Sequence, residues 1–188
     1  EKKIPITIFG VGMALERNKD LCDAIKKANY EVASHGWRWI DYQNVSKALE
    51  KKHMKLAIQS IEKIFGQRPL GWYTGRCSPN TRDLVMEEGG FLYDSDSYSD
   101  DLPYWEKRGK KKQLIIPYTL DNNDMRFATN QGFNSGDQFY AYLKDSFDTL
   151  YNEGKTNPKM MSVGLHCRLI GRPGRFQSLR KFLDYVLN

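Results

Sequence analysis

The feature that most constrains this chain is a repeated switch between short apolar runs and longer amphipathic ones. Runs of strand type occupy residues 4–9, 31–34, 71–74, 91–93, 114–118 and 160–165. Each is short, and several lead into Gly, Asp or His, as strands do on entering loops. Helical patterns lie between them. Asn18 can cap a helix running to about Ala28, and Val45, Leu49, Leu56, Ile61, Ile64 and Phe65 fall mostly at three- and four-residue spacings before Gly66, a left-handed stop. Asn80 opens a short helix closed by Gly89-Gly90. Ser135 begins one that carries Phe139, Tyr142, Leu143 and Leu150 and ends at Gly154. The last starts at Pro173 and places Phe176, Leu179, Phe182, Leu183 and Val186 on one side. This alternation predicts an α/β fold with a parallel sheet, in which right-handed crossovers bring the carboxyl ends of the strands to one rim.

Composition narrows the function classes. Of 188 residues, 40% are hydrophobic and 28% charged, which is globular usage and excludes disorder and low complexity. One domain over residues 1–188 is expected, because a chain of this size supports one real core and no Pro-, Gly- or Ser-rich linker divides it. No apolar run approaches the ~18 residues a membrane span requires. Cys22, Cys77 and Cys167 form no CxxC pair, so a reduced, cytoplasmic setting is expected. The excess of 29 Lys and Arg over 23 Asp and Glu includes the run Lys107-Arg108-Gly109-Lys110-Lys111-Lys112. That single stretch lacks interleaved aromatics and reads as a solvated loop rather than a nucleic-acid surface. Residues 94–108, acidic and then aromatic, read as a long loop over a site. Glu1-Lys2-Lys3 runs directly into the first apolar stretch with neither initiator Met nor signal peptide, so the chain is expected to begin inside a domain.

The residues just after the strands carry the chemistry. His35 follows the second run, Arg76 the third, Asp94 and Asp96 the fourth, Asp121 and Asp124 the fifth, and His166 the sixth. Two of three histidines thus stand at strand ends, where acid, base and anion-binding groups would converge. Each has a structural alternative: a satisfied histidine, an Arg76 that caps a loop or pairs with Asp94, or a solvated basic loop for Arg168, Arg172 and Arg175. His53 falls mid-helix beside Lys51, Lys52 and Lys55 and is given no role. A hydrolytic zinc site commonly uses two His at i and i+4 plus a carboxylate, but Trp39 stands four residues after His35, so no metal or other cofactor is expected.

The segment Val32-Ala33-Ser34-His35-Gly36-Trp37-Arg38-Trp39 resembles the second motif of the polysaccharide deacetylases (the NodB-homology group), whose usual form is a His-x-x-x-His metal pair. Gly75-Arg76-Cys77-Ser78-Pro79 is similar to their third motif, and Ser162-Val163-Gly164-Leu165-His166 to their last. With Trp39 in place of the second histidine, the phrases running from Ser34 to Tyr42 and from Leu165 to Arg175 look more like the metal-independent allantoinase branch. Asp94-Ser95-Asp96 and Asp121-Asn122-Asn123-Asp124-Met125-Arg126-Phe127 are similar to the same branch. The likeness extends from Ile4 to Val186. It implies a distorted (β/α) barrel whose first strand, with the family's acidic first motif, would precede Ile4.

It also implies a hydrolase that opens the cyclic amide of allantoin. His166 or His35 would move the proton, Arg76 would bind a ring carbonyl or ureido group, and Trp37 and Trp39 would wall a flat substrate, unless they pack under the rim. Asp94, Asp96, Arg168 and Arg172 would contact that substrate. The expected partners are a small molecule and further copies of the chain, with neither nucleic acid nor membrane. Two other classes remain open, a sugar N-deacetylase and a binding module without chemistry.

Overall fold

A computed structural model describes residues 4–188; Glu1-Lys2-Lys3 lies outside the described residues. The chain forms two compact units, one of Glu1–Ser97 with Pro103–Pro117 and the other of Tyr98–Leu102 with Tyr118–Asn188.

The first unit is built on β1 (Thr7–Gly10), β2 (Glu31–Ser34), β3 (Gly71–Trp72), β4 (Tyr93–Asp94), β5 (Tyr104–Arg108) and β6 (Lys111–Ile115). They form one sheet in the order β1-β2-β3-β4-β6-β5, parallel throughout except for the β5–β6 hairpin. The expected α/β class holds, with the sheet open rather than closed into a barrel among the described residues; β1 and β5 are its edges. Helices α1 (Gly12–Glu16), α2 (Lys19–Ala28), α3 (Lys47–Phe65) and α4 (Thr81–Glu88) connect the strands. Their ends follow local chemistry. Asn18 Oδ1 accepts the Leu21 N–H at 3.0 Å, Ser46 Oγ accepts that of Leu49 at 3.3 Å, and Gly66 closes α3 at φ 75°. Met54, Ala57 and Ile58 of α3 pack with Trp72, Leu84, Val85 and Phe91, while Leu15, Cys22, Ile25, Val32 and Ile61 form a second cluster. Each fully buried aliphatic or aromatic side chain here contributes about 1.5–3 kcal/mol.

Two sequence expectations change in this unit. The stretch 94–108 is not one loop, because Tyr104–Arg108 is an edge strand whose inward positions carry Tyr104 and Glu106. The basic run is a hairpin tip with Gly109 at φ 58°, a two-residue connection that suits a glycine first.

The second unit holds a short 3₁₀ turn at Asp124–Ala128 and helices α5 (Gly136–Glu153), α6 (Cys167–Ile170) and α7 (Pro173–Leu187). Ser135 caps α5 and Pro173 opens α7, as the sequence predicts. Phe139 and Leu143 of α5 meet Leu179 and Phe182 of α7, with Phe133 and Ile170 completing the cluster. The apolar run 160–165 forms no strand; only Gly164 makes a parallel bridge, to Asn123. Among the described residues no helix is long and apolar enough to cross a membrane.

Candidate functional site

Parallel pairing of β2, β3 and β4 puts their carboxyl ends on one edge of the first unit's sheet, where His35, Arg76, Asp94 and Asp96 stand. His35 follows β2. Its Nδ1–H donates to the Tyr73 carbonyl at 2.7 Å, and its ring stacks on that of Tyr73 at 5.2 Å with 2° between planes. Because a carbonyl only accepts, the neutral imidazole carries its lone pair on Nε2. Arg76 follows β3, and its guanidinium lies 4.5 Å from the centroid of Trp39, which is 49% exposed. Cation and ring thus form a planar, solvent-facing pair. Trp37 does something else. It packs against the α3 core cluster, and a Cβ at Gly12 would come within 2.7 Å of its ring. The backbone reinforces this contact, with Gly12 N–H donating to Gly36 carbonyl and Met13 N–H to Trp37 carbonyl.

Asp94 and Asp96 brace this edge from β4. Asp96 Oδ1 and Oδ2 accept the Thr74 N–H at 3.0 and 2.9 Å, Oδ1 also accepts the Gly75 N–H at 2.7 Å, and Oδ2 takes the Thr74 hydroxyl at 2.9 Å. Asp94 is fully buried, accepts the Asp96 N–H through Oδ1, and receives Arg82 Nη1 on Oδ2 at 2.7 Å. Its partner is therefore Arg82, not Arg76. The Asp94 carboxyl has no surface to offer a ligand, and that of Asp96 is engaged by the protein's own donors. Burial first, then the Asp96 charge, push the Asp94 carboxyl up to about 7 against the pull of Arg82. Below the edge, Glu50 is buried and accepts the hydroxyls of Ser78, at 2.6 Å, and Thr81, fixing the turn after Arg76.

The second unit contains a separate constellation. Residues 122–124 and 164–166 run side by side: Gly164 N–H donates to the Asn122 carbonyl and Asp124 N–H to the Gly164 carbonyl. This places His166 beside Asp124, with His166 Nδ1 2.7 Å from Asp124 Oδ1. Asp124 is 0% exposed, and its Oδ2 accepts the backbone N–H groups of His166 and Ile170 at 2.8 and 3.0 Å. Three N–H groups thus hold the carboxylate, which in turn fixes the imidazole tautomer with its lone pair on Nε2. Arg168 is exposed, with Nη2 3.8 Å from Met125 Sδ, and Arg172 is exposed at the cap of α7. Arg175 lies over the Phe127 ring at 4.4 Å and donates to the Leu169 carbonyl, so it is no solvated loop residue.

Sequence reasoning marked Asp124 as a strand-end carboxylate without giving it a role, and it passed over Arg82, Tyr73 and Glu50. Nothing in the local pattern distinguishes Arg82 from any first-turn arginine. For Asp124, its place after an apolar run was the available signal.

The deacetylase likeness raises the question of a metal. Among the described residues no group of three or more His, Cys, Asp or Glu could hold a metal ion. Trp39, which offers no donor pair to a cation, stands where a second histidine would. The donor set does not fit such a site.

The polysaccharide deacetylase family model matches residues 1–87. A Schizosaccharomyces pombe protein named for the same family is 45% identical over 98% of this chain and 63% of its own length. Two crystal structures superpose with TM-score 0.94, each covering 97% of this chain and 61% of the other. One is a Pseudomonas aeruginosa PAO1 protein named for the same family, at 59% identity, and the other is PuuE allantoinase, at 60%. The chain thus spans rather less than two thirds of the relatives it matches. By its motifs, its parallel sheet and these likenesses, the chain belongs to the polysaccharide deacetylase family.

Proposed function

We propose that the protein is a hydrolase of carbon–nitrogen bonds that opens the ring of allantoin to give allantoate without a metal ion. The observation that carries this reading is the His166–Asp124 pair, an imidazole held in one tautomer by a wholly buried carboxylate. The 60% identity to PuuE allantoinase supports the substrate, and Trp39 at the second histidine's place supports chemistry by side chains alone.

Ring opening is hydrolysis of a cyclic amide. Water adds to the carbonyl carbon, a tetrahedral centre forms, and the bond to the ring nitrogen breaks. His166 Nε2 takes a proton from the attacking water and delivers it to the departing nitrogen, ending in the state in which it began. Asp124 complements the positive imidazole between those steps. Separately, within the first unit, Arg76 resting on Trp39 offers a fork of donors of the kind that suits a carbonyl or ureido oxygen.

A second reading, removal of acetyl from an N-acetylated sugar, is favoured by the family match. The test is to treat the purified full-length protein with chelator and assay allantoin opening and acetate release from N-acetylglucosamine oligomers. Allantoin opening that survives chelation supports the proposal. Activity lost on chelation and restored by zinc, or acetate release without ring opening, overturns it.

A further inference from the structure

We infer that Tyr42 is the positioning residue that sets the Arg76–Trp39 pair, an inference that rests on reading that pair as a substrate-binding surface. Tyr42 is only 3% exposed, yet it touches the backbone on both sides of the stack. Its own N–H donates to the Arg76 carbonyl at 3.0 Å. Its hydroxyl lies 3.1 Å from His53 Nδ1 and 3.5 Å from the Arg38 carbonyl. That carbonyl also accepts the Ile40 N–H at 3.0 Å, in the turn that carries Trp39. One residue, through its backbone N–H and its side chain, therefore ties residues 38–40 to the strand-end segment of Arg76.

The anchor behind Tyr42 is rigid. His53 meets the tyrosine ring edge-on, with centroids 5.9 Å apart and 86° between planes. It belongs to α3, whose next residue, Met54, sits in the core with Trp72 and Leu84. The sequence pattern left His53 without a role; here its Nδ1–H donates to the buried Tyr42 hydroxyl, whose own proton goes to the Arg38 carbonyl. Burial first, then Arg38 and Lys52, keep its imidazole below the ordinary histidine range, which favours the neutral ring. A tyrosine hydroxyl has one proton to donate, and with the Arg38 carbonyl taking it, His53 Nδ1 supplies the hydrogen of the other bond. The platform's geometry is thus set from α3, through Tyr42, rather than by the exposed residues that form it.

Tyr42→Phe keeps the ring and the backbone N–H and removes only the hydroxyl. The expected result is a KM for allantoin raised about three- to tenfold, the range of one lost hydrogen bond, with kcat within about twofold. In the substrate-free protein the Trp39 indole N–H resonance, identified by its loss in Trp39→Phe, is expected to shift. His53→Leu is expected to reproduce both effects, and His53→Gln, whose amide N–H can donate to the hydroxyl oxygen, to restore both. An unchanged Trp39 resonance in Tyr42→Phe overturns the inference, as does a fall in kcat at constant KM. Wild-type protein that fails to open allantoin would defeat the substrate reading instead, and the indole resonance would still decide whether Tyr42 positions Trp39.

Discussion

Asp124 faces His166 twice, taking the ring Nδ1 on one carboxylate oxygen at 2.7 Å and the backbone N–H on the other at 2.8 Å. A side chain held this way cannot be exchanged for its amide without a fault, since the Asn amide would point a donor at a donor. Asp124→Asn is expected to lower kcat about 10³–10⁴-fold, the scale of losing the correct tautomer in a proton-transfer pair. His166→Ala should fall as far, and the double variant no further than the worse single one, because the two act as a unit. Steady-state kinetics of the three variants with allantoin checks this.

Asp94 makes stability fall as pH rises. Its carboxyl is pushed up to about 7 when folded, against an ordinary value of 3.8, chiefly because it is buried. Between those values the folded chain holds a proton that the unfolded chain has released, so the folded state is favoured at the acid end. That contribution is fully present below about 4, declines up to about 7 and is gone above it. Thermal melts of wild type and Asp94→Asn from pH 4 to pH 8 are expected to show the melting temperature of the variant gaining on that of wild type up to about pH 7 and holding level beyond. A pH-independent difference would refute it.

Arg82 carries the counter-charge for Asp94 while also donating to the Asp96 carbonyl at 2.8 Å and lying 3.4 Å from Glu106. Its side chain is 13% exposed and that of Asp94 is 0%. Arg82→Leu leaves a buried carboxyl without its cation and is expected to cost about 3–5 kcal/mol of unfolding free energy. Adding Asp94→Asn should recover part of that loss. Urea unfolding of single and double variants measures both.

Arg76 is expected to resist conservative replacement. Arg76→Lys keeps the charge but loses both the planar fork and the flat face resting on Trp39. Its KM for allantoin should rise about tenfold or more, roughly the ratio that 1.4 kcal/mol of lost binding gives, while the melting temperature stays near wild type because the side chain is exposed. A KM within twofold of wild type would remove Arg76 from substrate binding.

Elements bounded by local chemistry were legible. Asn18, Gly66, Ser135 and Pro173 mark helix ends through bonds to their own neighbours or through their own backbone limits, so the helices could be bracketed before any fold was known. Strands fared less well. Residues 160–165 look as strand-like as any other run, but only Gly164 finds a bridging partner. β5 was hidden for the opposite reason, since an edge strand needs little apolar surface and its inward positions are Tyr104 and Glu106. Among the candidate residues, His35 and His166 stood out because histidine is scarce and both follow apolar runs. The pairing of Arg82 with Asp94 did not, because Arg76 has the same charge and follows a run of strand type.

From its residue order alone the chain is an α/β protein with ionisable groups at its strand ends, since hydrophobic periodicity and capping act over a few residues. Which acid serves which base is another matter. Asp124 lies 42 residues from His166, and Glu50 lies 28 from Ser78 and 31 from Thr81. Such partners are chosen by how helices pack on strands and where a backbone bridge forms, and only in a dry interior do the unpaired alternatives become too costly to persist.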